Sequence, residues 1–359
     1  MQPLHRRLEP EPVPALAGIE RWREAGHDAG DVVRLDRNER VGGHPDWFVD
    51  ELRARLTSEL ASVYPSPRRL HEELAASLGL PEERLLVTPG TDAALRAVHV
   101  AFVRPGDAVV RLDPTYAMIP VYGRMFSAED VPVRWDAPAE ALLEAVRPGV
   151  RLVVLANPNQ PTGSLVPADA VAELKARCED VGALLVLDEA YVDFSGETGI
   201  GHVAEGENVL VLRTFSKGAG FAGLRIGFAA GGPETMRALY KVRSAGETNQ
   251  LAIEAARLAV ARPELVSDYV ASVAEGRALL EARARELGLE PVPGHANFLL
   301  LLLPEGRDPA ALVAALRERG YLVRGAYPYP LLDRTIRVTL GPPETMAGFA
   351  DALAQAVAG

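Results

Sequence analysis

Amine chemistry is the first thing this sequence offers. Its lysines are Lys175, Lys217 and Lys241, set among many arginines. Lys175, in Ala172-Glu173-Leu174-Lys175-Ala176-Arg177, and Lys241 read as solvated helix faces. Lys217 stands instead in Arg213-Thr214-Phe215-Ser216-Lys217-Gly218-Ala219-Gly220-Phe221-Ala222-Gly223-Leu224-Arg225, directly after the apolar run Val209-Leu210-Val211-Leu212. A guanidinium cannot be deprotonated in a protein or condense with a carbonyl, so a lysine kept here suits a nucleophilic amine. Taken alone it reads as an ordinary loop lysine. Its company argues otherwise: Asp188 and Tyr191 follow a second apolar run, Asn157 a third, Tyr116 a fourth, and Thr91-Asp92 a fifth.

Those runs are the elements that must position the chemistry. From the break at Tyr64-Pro65-Ser66-Pro67 to about residue 245, short apolar runs alternate with amphipathic stretches. That pattern predicts a mostly parallel sheet flanked by helices on both faces. Strands are expected at Leu85-Leu86-Val87, Ala108 to Leu112, Arg151 to Leu155, Ala183 to Leu187 and Asn208 to Leu212. Ligands of open α/β sheets bind outside the carboxyl ends of the strands. Here those ends bring an amine, an acid, a phenol, an amide and a helix N-terminus to one crevice. Each residue singly could be a cap or turn former; their convergence carries the reading.

Gly218, Gly220 and Gly223 also spell G-x-G-x-x-G, the fingerprint of a nicotinamide- or flavin-binding oxidoreductase. The context opposes it. Four residues separate Arg213 from Gly218, Leu224 to Phe228 looks extended rather than helical, and Lys241, Val242 and Arg243 stand where a ribose-binding acid is expected.

A length of 359 residues fits a large domain plus a smaller one. A formal charge of −11 opposes a general nucleic-acid surface and favours small-molecule partners. The N-terminus lacks the apolar core of a signal peptide, no apolar run is long enough to span a bilayer, and Cys178 is the single cysteine. A cytoplasmic protein is expected. No zinc-type Cys/His spacing is present. Residues 1–45 are expected to form an N-terminal arm and the start of a small domain, 46–245 the large cofactor-binding domain, and 246–359 the C-terminal small domain. Within the arm, Val32 to Leu35 reads as a short strand. In the last third, Ala296 to Leu302 and Tyr321 to Arg324 read as strands and Pro309 to Arg319 as a helix. Arg337, alternating with Ile336 and Val338, points away from their local core. A small α+β domain closing over the crevice would bring it to the ligand.

A strand-end lysine, an acid on the neighbouring strand end, a tyrosine three residues after it and a helix N-terminus meet the needs of pyridoxal 5'-phosphate. Lys217 would form an imine with the aldehyde, and Asp188 would keep the ring nitrogen protonated so that the ring accepts electrons. Asn157 and Tyr191 would bond the ring's phenolic oxygen, and Tyr116 would offer an aromatic face. The amides of Thr91 and Asp92, with Ser216 and Arg225, would hold the phosphate.

Tyr64-Pro65, Gly90-Thr91-Asp92, Pro105-Gly106-Asp107, Pro114-Thr115-Tyr116, Asn157 to Gly163, Asp188 to Tyr191, Arg213 to Arg225, and Arg337 with Thr339 and Gly341 carry a further signal. Over nearly its whole length the chain resembles the fold-type I pyridoxal-phosphate aminotransferases, and most of all the histidinol-phosphate aminotransferase family. The resemblance implies the residue roles just given and adds that Tyr64 reaches the cofactor phosphate of a neighbouring subunit in a homodimer with shared active sites. It implies that Arg324 and Arg337, with Asn157, bind an anionic amine, whether phosphorylated, phosphonylated or carboxylated, whose amino group passes to a 2-oxo acid such as 2-oxoglutarate. The chain departs from the family pattern at Arg40-Val41 in place of proline, at Gln160 in place of a second asparagine, at Ala93 and Ile119, and at Ser244 to Glu247, where no aromatic remains. A decarboxylase of the threonine-phosphate type would share the same cofactor site.

Overall fold

The computed structural model describes residues 12–16, 18–19, 32–325 and 327–358. Most of the expected N-terminal arm lies outside the described residues. The strands are β1 (Val33–Arg34), β2 (Leu85–Thr88), β3 (Ala108–Asp113), β4 (Glu129–Arg134), β5 (Val150–Ala156), β6 (Leu184–Asp188), β7 (Val209–Thr214) and β8 (Gly227–Gly231), followed by β9 (Glu290–Val292), β10 (Phe298–Leu302), β11 (Tyr321–Leu322), β12 (Arg324–Gly325) and β13 (Thr335–Thr339).

A seven-stranded sheet runs in the order β2-β8-β7-β6-β5-β3-β4. It is parallel except for β8, which is antiparallel to both β7 and β2. Alternate residues of its strands feed two cores. Val153, Leu155, Leu185, Leu187, Val209 and Val211 face one layer of helices, while Leu152, Val154, Val186, Leu210 and Leu212 face the other. Both faces are covered, so these strands are apolar throughout instead of alternating with polar residues. The edge strand β4 is largely exposed and polar, which is why it has no apolar run to announce it.

Four strands in the order β12-β13-β10-β9 form a smaller antiparallel sheet over a core that includes Leu299, Leu301, Ile336 and Val338. The stretch from Tyr321 to Arg324 is divided: β11 pairs in parallel with β1, and after Val323 the chain turns into β12 beside β13. The helix Pro309–Glu318 begins with Asp308 accepting from the Ala310 amide at 2.9 Å and with proline at its first position, where no amide is needed. The helix Gln250–Ala261 packs into the large-sheet core, and the long helix Glu264–Glu286 joins the small core from Tyr269 onward. The cores therefore part later in the chain than residue 245. Among the described residues no helix is long and apolar enough to cross a membrane.

Candidate active site

The carboxyl ends of β5, β6 and β7, the start of the helix Thr91–Phe102 and the segment Asp36 to Glu39 enclose a cavity of about 510 Å3. Thr91, Asp92, Tyr116, Asp188, Tyr191, Ser216, Lys217, Arg225, Arg324 and Arg337 all line it.

Lys217 owes its place to the loop that follows β7. The Ser216 amide donates to Thr214 Oγ1 at 3.1 Å and the Phe221 amide to the Phe215 carbonyl at 2.8 Å, so the chain turns tightly instead of entering a helix. Two glycines let neighbours close in. A Cβ on Gly218 would lie 2.2 Å from an Asp193 carboxylate oxygen, and one on Gly220, at φ +79°, would lie 2.4 Å from Arg40 Cδ. The absence of a helix here removes the dinucleotide reading. Lys217 Nζ donates to the Asn38 carbonyl at 2.9 Å and to the Arg37 carbonyl at 3.4 Å. Burial, then the nearby Arg337, bring its amine down to about 8, against the opposing pull of Glu39 and Asp188.

Asp188, 3% exposed, ends β6. One of its carboxylate oxygens, Oδ1, is buried with no hydrogen-bond partner. Burial pushes the carboxyl up to about 7, with the Ala190 amide and the Thr91 hydroxyl pulling the other way. A buried acceptor without a donor is costly, so this oxygen is prepared for a donor from outside the chain. Tyr191 accepts from Asn38 Nδ2 and donates to Gln160 Oε1, both at 2.8 Å. Its phenol is pushed up to about 12 by burial.

An anion cradle lies at the other end. The helix Thr91–Phe102 opens after Gly90, whose φ of +86° turns the first amides toward the crevice side. A Cβ on Gly90 would approach Arg225 Nη2 to 3.3 Å, and Arg225 Nη1 lies 3.5 Å from Ser216 Oγ. Tyr116 leans over this end, its hydroxyl 3.4 Å from Asp92 Oδ1, and burial drives its phenol well above the usual range.

The small sheet brings two arginines to the crevice. Arg324 and Arg337 are cross-strand partners on β12 and β13. Two like charges so placed repel each other unless an anion lies between them. Arg337 is 3% exposed, covered by the segment Asp36 to Asn38; its Nη2 donates to the Asp36 carbonyl at 2.8 Å, and its Nε has no partner. Among the described residues no carboxylate forms an ion pair with either arginine.

Two expected residues are not brought to this crevice. Asn157 is committed at both ends of its amide: Nδ2 donates to the Val166 carbonyl at 3.2 Å and Oδ1 accepts from the Val166 amide at 2.8 Å. This corrects its assignment to the phenolic oxygen and to substrate; the carboxamide that lines the crevice is Gln160. Tyr64, 94% exposed, lies outside its own chain's crevice. Asn38, joined to both Tyr191 and Lys217, is the other residue that sequence reasoning missed. The sequence signal for it is the pair Asn38-Glu39 ahead of the glycine turn Gly42-Gly43.

The family model described as "Aminotransferase class I and II" matches residues 31–353. A histidinol-phosphate aminotransferase of Symbiobacterium thermophilum is 36% identical, covering 98% of this chain and 97% of that protein. The crystal structure of histidinol-phosphate aminotransferase from Sinorhizobium meliloti in complex with pyridoxal-5'-phosphate superposes with a TM-score of 0.87 at 27% identity, covering 98% of this chain and 99% of that one. An L-threonine-O-3-phosphate decarboxylase from Porphyromonas gingivalis gives 0.77 at 26% identity, covering 90% and 99%. The unpartnered Asp188 oxygen, the half-buried amine and the cradle at Thr91 fit the ring nitrogen, aldehyde and phosphate of that cofactor. The chain belongs to the class I and II aminotransferases, within the histidinol-phosphate aminotransferase family.

Proposed function

We propose that this aminotransferase moves an amino group between an anionic amine of the histidinol-phosphate type and a 2-oxo acid such as 2-oxoglutarate. One observation carries the substrate reading: Arg324 and Arg337 are paired across neighbouring strands and both line the crevice, and among the described residues no carboxylate forms an ion pair with either. A phosphate or carboxylate would relieve that repulsion and accept from both forks.

Pyridoxal phosphate, when bound, supplies an aldehyde and a ring that withdraws electrons from the carbon bearing the amino group. The chain's own residues do the rest. Thr91 and Asp92 amides, Ser216 and Arg225 would hold the cofactor's phosphate, and Asp188 would hold the proton on its ring nitrogen. Tyr191 and Gln160 would hold the edge of the ring, and Tyr116 would offer it an aromatic face. Lys217, with an amine near 8, is partly uncharged around neutrality and takes the proton from the substrate's α-carbon at Nζ. Arg324 and Arg337 fix the far end of the substrate so that this carbon stays within reach.

The chain works as a homodimer, with Tyr64 completing the phosphate cradle of the neighbouring copy. Its near-complete exposure, together with the partial exposure of Val63, Leu56 and Val100, favours a covered face. A cytoplasmic location fits the lone Cys178, buried and held as a thiol by a pKa pushed up to about 12.

The test is to incubate the holoenzyme with histidinol phosphate and 2-oxoglutarate. Glutamate formation with ping-pong kinetics is expected. Carbon dioxide release from L-threonine O-3-phosphate, with no glutamate formed from histidinol phosphate, would favour the decarboxylase chemistry instead, and inertness toward every phosphorylated amine would remove the substrate reading.

A further inference from the structure

Asn38 is 1% exposed and has a backbone φ of +55°. Left-handed backbone is uncommon for a residue with a side chain, and asparagine tolerates it better than most. All of its polar atoms are engaged. Its amide donates to Thr339 Oγ1 at 2.9 Å, and its Oδ1 lies 3.4 Å from the same hydroxyl, which can donate back. Its Nδ2 donates to the Tyr191 hydroxyl at 2.8 Å. Its carbonyl accepts from Lys217 Nζ at 2.9 Å and from Asn297 Nδ2 at 3.1 Å. Thr339 in turn donates its own amide to the Leu35 carbonyl at 2.8 Å, so the segment is stitched to the end of β13 at Leu35 and again at Asn38.

These contacts have a direction. Asn38 Nδ2 can only donate, so the Tyr191 oxygen accepts there and its proton is sent to Gln160 Oε1. The left-handed turn does the complementary task, swinging the Asn38 carbonyl into the crevice to meet the lysine amine. We propose that Asn38 is the positioning residue of the reaction centre: its backbone aims Lys217, its carboxamide sets the Tyr191 phenol, and its bonds to Thr339 fix both to the small sheet that carries Arg337. The inference rests on the reading of Lys217 as the reactive amine. It gives the small sheet and the lysine loop, on different cores, a shared contact through one short segment.

Three variants of the full-length chain separate this from a merely structural role. Asn38→Gly keeps access to the left-handed backbone and deletes the carboxamide. Asn38→Ala deletes the carboxamide and disfavours that backbone. Asn38→Asp keeps the shape but replaces the donor to Tyr191 by an acceptor. The readout on cofactor-free protein is the pH midpoint for acylation of Lys217 by an amine-directed reagent, located by mass spectrometry. The charged and titratable groups facing Lys217 are Arg337, Arg225, Glu39, Asp188 and Tyr191, and all are unchanged in these variants. A carbonyl acceptor favours the ammonium form. The midpoint should therefore stay near that of the parent in Asn38→Gly and fall in Asn38→Ala, and it should rise in Asn38→Asp, whose added carboxylate also favours the ammonium.

With the cofactor loaded, kcat should drop roughly tenfold to a hundredfold in Asn38→Ala and Asn38→Asp, less in Asn38→Gly, with KM nearly constant. Equal midpoints in all four proteins, with activity losses that follow only the folded fraction measured by thermal melting, would overturn the proposal. If the parent itself fails to attach pyridoxal phosphate at Lys217 under borohydride, the reading of the lysine has failed. If the parent attaches it and the midpoints do not move, the role of Asn38 alone has failed.

Discussion

Replacing Asp188 by asparagine should make the cofactor-free protein more stable at pH 8, although the residue sits at the centre of the active site. Asp188 is 3% exposed with one oxygen unpartnered, and its carboxyl is raised from 3.8 to about 7, first by burial. A difference of that size between the folded and unfolded chain corresponds to about 4 kcal/mol of destabilisation once the group is ionised in both. The sign follows from the protons. Between pH 4 and 7 the folded chain holds a proton that the unfolded chain has released. Stability from this group is therefore fully present below about pH 4 and is lost as pH rises through about 7. Asparagine keeps the shape without the charge but brings amide hydrogens of its own, so a gain of roughly 2–4 kcal/mol at pH 8 is expected. Urea titrations of cofactor-free parent and Asp188→Asn at several pH values between 5 and 8 measure it. The gap should widen with pH, and saturating pyridoxal phosphate should reverse it by giving the parent's carboxylate a cationic partner. A gap that is flat across pH, or a parent that is the more stable protein at pH 8 without cofactor, would refute the reasoning.

Other outcomes follow from the same geometry. Lys217→Ala should abolish turnover while leaving the fold intact by circular dichroism, because no second lysine lines the crevice. Arg337→Ala should weaken binding of an anionic substrate by about 2–5 kcal/mol, as expected for truncating one partner of a desolvated charge pair, and isothermal titration with the substrate reads it directly. Asn157→Ala should cost about 1–3 kcal/mol of stability, since it leaves the buried Val166 amide and carbonyl unpaired, and KM should change little. A raised KM without a stability loss would return Asn157 to the substrate site.

The parts of the site legible in the sequence are those fixed by strand ends. Leu184 to Asp188 and Val209 to Thr214 are apolar because both faces of the sheet are covered, and such runs say where a strand stops and what stands there. Lys217 could be singled out because its amine has a chemical meaning that the surrounding arginines lack. The direction of Arg337 was legible through alternation, since Ile336 and Val338 claim the other face. What stayed hidden depends on loop backbone. Asn157 and Gln160 are both carboxamides in one turn, and only the folded turn decides that the first is tied to Val166 while the second faces the cavity. Asn38 acts through a carbonyl and a positive φ, neither of which a residue type announces. The split of Tyr321 to Arg324 into β11 and β12 hangs on which neighbour each half finds, a tertiary choice that a short apolar run leaves open.

Reductive trapping tests the centre of the account most directly. The protein is incubated with pyridoxal phosphate, reduced with borohydride, digested with trypsin and mapped by mass spectrometry. A cofactor-bearing peptide running from Thr214 to Arg225, uncut at Lys217, is the result expected. Label on Lys175 or Lys241, or cofactor that washes away after reduction, would contradict it.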